Sequence, residues 1–101
     1  MRVQFSDSAN ESLENVHEFC KKFSGIKAAD LLIDNIFDRV GILEDFPEMG
    51  GLEMSQLSKG LKIRYLIEGH CKILYDINLK ENVVEILEVF DTRQNPDKML
   101  E

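Results

Sequence analysis

Residues 61–90 read LKIRYLIEGHCKILYDINLKENVVEILEVF, and this stretch decides the fold. From Leu61 to Ile67, Leu61, Ile63, Tyr65 and Ile67 alternate with Lys62, Arg64 and Leu66, a period of two that predicts a strand. Glu68, Gly69 and His70 form a tight turn. Beyond it Cys71, Ile73, Tyr75 and Ile77 alternate with Lys72, Leu74 and Asp76 as far as Asn78. Residues 79–82 supply the next turn, and Val83–Phe90 is a third strand rich in β-branched and apolar side chains. Three successive strands joined by tight turns predict an antiparallel meander.

Upstream of the strands the apolar period changes. Arg2–Phe5 alternates like a short strand, and Ser8 followed three residues later by Glu11 has the form of a helix capping box. Ala9, Leu13, Val16, Phe19, Cys20 and Phe23 then recur at three- and four-residue steps, one face of a helix ending near Gly25. A second helix carries Ala29, Leu32, Ile33, Ile36, Val40 and Leu43 on one stripe, with Asp30, Asp34 and Asp38 on the other side. Phe46-Pro47 is expected to stop it, because proline cannot continue a helix and restricts the residue before it. The short link between these helices predicts an antiparallel hairpin. Pro47–Lys59, with Gly50-Gly51, is expected to be a mobile connection to the sheet. The whole chain, 1–101, therefore reads as one α+β domain of order β-α-α-β-β-β, with the helical hairpin packed on one face of a small antiparallel sheet.

The chain has 12 Lys and Arg against 19 Asp and Glu, a formal net charge of −7. That balance argues against sequence-blind nucleic-acid binding, which depends on neutralising phosphates with basic side chains. The charge is unevenly spread. Residues 1–58 hold 5 basic and 11 acidic side chains, whereas residues 59–101 hold 7 and 8. No secretory leader is visible and no apolar run is long enough to span a bilayer, so the expected location is the cytoplasm. Cys20 and Cys71 lack metal-ligand spacing and read as two reduced thiols.

Candidate chemistry is sparse. The sequence offers no Gly-rich phosphate loop, no metal-ligand pattern and no Ser/His/Asp signature, so no cofactor or metal is expected. His17 and His70 read as structural or solvent-exposed, and the carboxylates of the second helix as a solvated face. One constellation stands out. Lys62, Arg64 and Lys72 are expected on one face of adjacent strands, with Arg93 just beyond the third. An Arg64–Lys72 pair across the hairpin is costly unless an anion or carboxylate answers it, and Asp76 and Glu85 are the internal candidates. The alternatives at this point are locally satisfied sheet charges or a surface for an anion or a partner, and Arg64 and Arg93 are expected at the surface.

Order and residues together resemble the RelE/ParE superfamily of toxins from type II toxin–antitoxin systems. Phe5-Ser6 with Ala9 and Leu13 is similar to the family's opening, and residues 43–50, LEDFPEMG, resemble its L-x-x-F-P-x-x-G helix ending. Leu57–Arg64, residues 72–77 (KILYDI) and residues 89–96 (VFDTRQNP) resemble its later strands and tail. Arg64 matches the family arginine of the second strand and Lys72 a common basic position of the third. Arg93 matches the arginine after the last strand, and Tyr75 a mainly structural tyrosine.

The resemblance implies a small bacterial toxin, as in plasmid stabilisation systems, neutralised by a cognate antitoxin. The antitoxin's segment is expected in a groove beside the helical hairpin or at a sheet edge. RelE-like relatives cleave mRNA on the ribosome, whereas ParE-like relatives poison DNA gyrase by protein–protein interaction. Residues 93–101, RQNPDKMLE, contain no Tyr or His to move a proton, and ordinary Lys and Arg are poor bases at neutral pH. A chain of charge −7 also approaches the anionic ribosome against the field. The ParE-like, non-enzymatic reading is therefore favoured. A RelE-like endoribonuclease and a degenerate, non-toxic member stand as alternatives.

Overall fold

The computed structural model describes residues 1–94. In chain order the elements are β1 (Arg2–Phe5), α1 (Asp7–Ser24), α2 (Ile26–Gly41), a 3-10 turn (Ile42–Glu44), β2 (Gly51–Leu52), α3 (Met54–Leu57), β3 (Arg64–Glu68), β4 (Cys71–Asn78) and β5 (Val83–Asp91). Two long helices lie on a five-stranded sheet of order β1-β5-β4-β3-β2. The α+β class, the helical hairpin and the three-strand meander agree with the sequence pattern. The sheet is mixed rather than purely antiparallel, because β1 pairs parallel to β5 with Val3 beside Val84.

Local chemistry sets the boundaries. The N-cap of α1 is Ser6, not Ser8: its Oγ accepts from the Ala9 N–H at 3.0 Å. Ser6 is also anchored to the sheet, its own N–H donating to Ile86 O at 3.0 Å and its hydroxyl to Leu87 O at 3.2 Å. Strand pairing therefore runs straight into the helix cap. Gly25 alone separates the two helices, at φ +90°, a backbone region that a side chain disfavours. α2 ends before Phe46-Pro47, passing through the 3-10 turn that buries Leu43.

The core lies between the hairpin and the inward face of the sheet. Ala9, Leu13 and Val16 from α1 and Ala29, Ile36 and Val40 from α2 are buried, as are Ile73, Tyr75, Val84, Ile86 and Val89 from the sheet. Each fully buried large aliphatic here contributes on the order of 1.5–3 kcal/mol. A bulge opposite Leu74 and Tyr75 inserts Leu87 into β5, so Ile86 and Val89 both face inward. α1 answers a backbone group there, since the Ser12 hydroxyl accepts from the Val89 N–H at 2.9 Å.

One register expectation is overturned. In β3 the inward residues are Arg64, Leu66 and Glu68, opposite Tyr75, Ile73 and Cys71, while Tyr65 and Ile67 face out beside Leu74 and Lys72. A one-residue shift exchanges every side chain between faces, and this strand has apolar residues in both alternations. Arg64 and Lys72 therefore lie on opposite faces, and the cross-hairpin pairing expected for them does not occur. Lys62 precedes β3 in an irregular segment.

Candidate functional site

Sequence suggests a mobile link over Pro47–Lys59, but β2 and α3 form within it and residues 47–50 are pinned by side chains. Tyr75 is fully buried on the inward face of β4, and its hydroxyl sits between two backbone groups. It donates to Pro47 O at 2.8 Å and accepts from the Gly50 N–H at 2.9 Å. Burial raises the tyrosine's pKa above its ordinary value; the Gly50 N–H and the nearby Arg64 charge oppose that shift. Arg64, opposite Tyr75 across the strands, donates from Nη1 to Gly50 O at 2.8 Å and more weakly to Glu48 O at 3.4 Å.

Gly50 completes the lock for reasons of space rather than backbone angle. A Cβ there would lie 2.4 Å from the Tyr65 carbonyl oxygen and 2.6 Å from the Tyr75 hydroxyl. Proline, glycine, arginine and tyrosine at these positions therefore form one unit. The outer side of the loop is different. Phe46 is 63% exposed and Met49 44%, and Glu44, Asp45 and Glu48 beside them are exposed. A shallow hollow is lined by Phe46, Pro47, Glu48 and Met49.

The other predicted basic residues are distributed rather than gathered. Lys72 is only 8% exposed. Its ammonium pairs with Glu53, just before α3, and stands 4.5 Å from the centroid of the Tyr65 ring. The burial is tolerable because the charge is paired on one side and faces a π cloud on another. Asp76 and Glu85, the carboxylates considered as partners, instead stand opposite each other across β4 and β5. Arg93 extends beyond β5 with its side chain 57% exposed and binds the buried Asp91 through Nε at 3.1 Å and Nη2 at 2.8 Å. Lys62 is exposed. Arg64 is half-buried rather than a free surface residue.

Two groups were missed in the sequence. Glu53 gives no signal, because it sits in a segment without periodicity. Gly50 does give one: it closes the L-x-x-F-P-x-x-G run, and a glycine there implies close approach of other atoms. Asp91 is held below its ordinary pKa, first by the Arg93 side-chain hydrogen bonds and against the opposing effect of burial. At the same end of the sheet, burial and then the Asp91 charge push the Cys71 thiol up to about 12, which makes it unreactive near neutral pH. Cys71 and the half-buried Cys20 are both free. His17 pairs with Asp30 between the helices at 2.8 Å, away from the loop and the sheet charges. Among the described residues, no group of three His, Cys, Asp or Glu side chains could hold a metal ion, and no helix is long and apolar enough to cross a membrane.

Two helices on one face of this sheet, with a glycine-terminated loop locked under a strand tyrosine, define a small two-layer α+β fold. A solved structure titled "Chromosomal ParDE TA system from P. aeruginosa" has the same fold. It aligns with a TM-score of 0.73 at 16% identity, covering 90% of this chain and 95% of that one. Residues 3–96 match the family described as the ParE toxin of type II toxin–antitoxin systems, parDE, and the chain belongs to that family. No curated protein matches it. The motif positions Asn95 and Pro96, and the Tyr- and His-free end of the chain beyond them, lie outside the described residues.

Proposed function

We propose that this chain arrests growth by binding a protein target, with DNA gyrase the target implied by the superfamily resemblance. In this reading it is held inactive by a cognate antitoxin. The observation that carries it is the fate of the basic residues. Cleavage of mRNA needs cations free to stabilise charge on a phosphate and a group to move a proton. Of the four expected cations, Lys72 is spent on Glu53, Arg64 on loop carbonyls and Arg93 on Asp91, while Lys62 is exposed in the irregular segment before β3. Tyr75 is buried between two backbone groups, where it cannot reach a substrate.

The test is expression without antitoxin, followed by two readouts. A gyrase poison induces the DNA-damage response and leaves reporter mRNA intact. A RelE-like interferase gives codon-phased ends in primer extension, and that result would replace the present reading. No growth defect would assign the chain to the non-toxic class. Restoration of growth by the product of an adjacent small reading frame tests the antitoxin.

A further inference from the structure

The loop held by Tyr75 and Arg64 also carries exposed apolar side chains. Four backbone groups, Pro47 O, Gly50 N–H, Gly50 O and Glu48 O, are held by Tyr75 and Arg64. Internal support alone would be served by a polar or small residue at the tip. Instead Phe46 and Met49 point into solvent, with Ile42 also exposed nearby in the chain. A residue already fixed in place loses little entropy on binding, and rigid aromatic anchors are the usual centres of protein interfaces. Phe23 is also exposed, but it lies beside Gln94, the last described residue, and carries no argument of this kind.

We infer that the Phe46–Met49 tip docks on the toxin's target, in an apolar pocket rimmed by Lys or Arg side chains on a folded protein. Charge fixes the rim. Exposed Glu44, Asp45 and Glu48 flank the apolar pair in the chain, whereas Arg64 is half-buried and faces the loop backbone, and the Met1 ammonium is engaged by Glu44 O at 2.6 Å. Rigidity argues for a folded occupant. A flexible antitoxin segment binds by lying in a groove or adding a strand to a sheet edge, where its own backbone is satisfied. A fixed tip with two projecting side chains suits a pocket already formed. This inference rests on the protein-target reading above and names the surface that performs it.

The test compares wild type, Phe46→Ala/Met49→Ala and Asp45→Lys/Glu48→Lys for growth arrest on induction. Thermal unfolding and antitoxin pull-down are measured on the same variants. Asp34→Lys/Asp38→Lys on α2 changes net charge equally and serves as the control. The expected result is loss of arrest in both tip variants, equivalent to about thirtyfold weaker target binding, with antitoxin binding and the thermal midpoint retained. The α2 control should still arrest growth. If wild type arrests growth and the tip variants do so equally, the tip is not the docking surface and the protein-target reading stands. Loss of antitoxin binding along with toxicity would assign the tip to the antitoxin and overturn the inference. If both charge variants, the α2 control included, fail while Phe46→Ala/Met49→Ala still arrests growth, net charge rather than the tip is responsible, which also overturns it. A wild type that does not arrest growth removes the functional reading and this inference with it.

Discussion

The sheet carries an arginine near each end, and the two are built for different work. At the β2 end Arg64 is half-buried and donates to neutral carbonyls of a loop, in concert with a buried tyrosine. Beyond the last residue of β5 Arg93 is mostly exposed and clasps one buried carboxylate two residues away. The first contact spans 14 residues and fixes the path of the chain; the second only neutralises Asp91. Equal charge therefore does not imply equal function. An arginine matters here according to whether other residues depend on it for their position.

The largest expected effect at the first end comes from Gly50→Ala. Its Cβ would meet a backbone oxygen, which cannot swing aside, so a cost of about 3 kcal/mol or more is expected, measured by denaturant unfolding. Gly41→Ala, where nothing lies within 4 Å, is the matched control and should change little. Next comes Tyr75→Phe, which keeps the ring but orphans Pro47 O and the Gly50 N–H. A loss of about 2–4 kcal/mol follows from two buried groups left without a partner.

The comparison itself is sharpened by truncating each arginine. Arg64→Ala should destabilise by about 1–2 kcal/mol and disturb the loop, since it removes a hydrogen bond between a charged donor and a part-buried carbonyl. Arg93→Ala should shift the thermal midpoint less, because the Arg93 backbone N–H still reaches Asp91 Oδ1 at 2.8 Å. A larger shift for Arg93→Ala would invert the assignment of roles.

The smallest effect is a pH dependence confined to the second end. The Asp91 pKa is lower in the folded chain than the ordinary value near 3.9, so the unfolded chain takes up the proton first on acidification. The stabilisation is thus full above the unfolded value and is lost as pH falls through the depressed folded one. Thermal midpoints measured down an acid series should fall less steeply in Asp91→Asn than in wild type.

Much of this was legible in the sequence, and the exceptions share a physical cause. Helical stripes from Ala9 and Ala29, and the alternation from Cys71 to Ile77, fix faces because each has one dominant apolar side. β3 does not: Tyr65 and Ile67 suit one face and Leu66 the other, and only tertiary packing selects Leu66 for the core. The same ambiguity misplaces Arg64, and with it the expected basic patch. The parallel pairing of β1 with β5 joins the two ends of the described chain, and no local pattern encodes such a contact. Burial of Lys72 depends on Glu53, which reads locally as loop. By contrast the run from Leu43 to Gly50 was visible as a motif, while its reason, the space under Tyr75, was not.

The central claim is that Tyr75 and Arg64 hold the Phe46–Gly50 loop rigid, and hydrogen exchange of the Gly50 amide tests it most directly. Protection in wild type and its loss in Tyr75→Phe, with core amides such as that of Val89 still protected, is the result predicted. Rapid Gly50 exchange in the wild-type protein, at a rate the Tyr75→Phe substitution leaves unchanged, would contradict it.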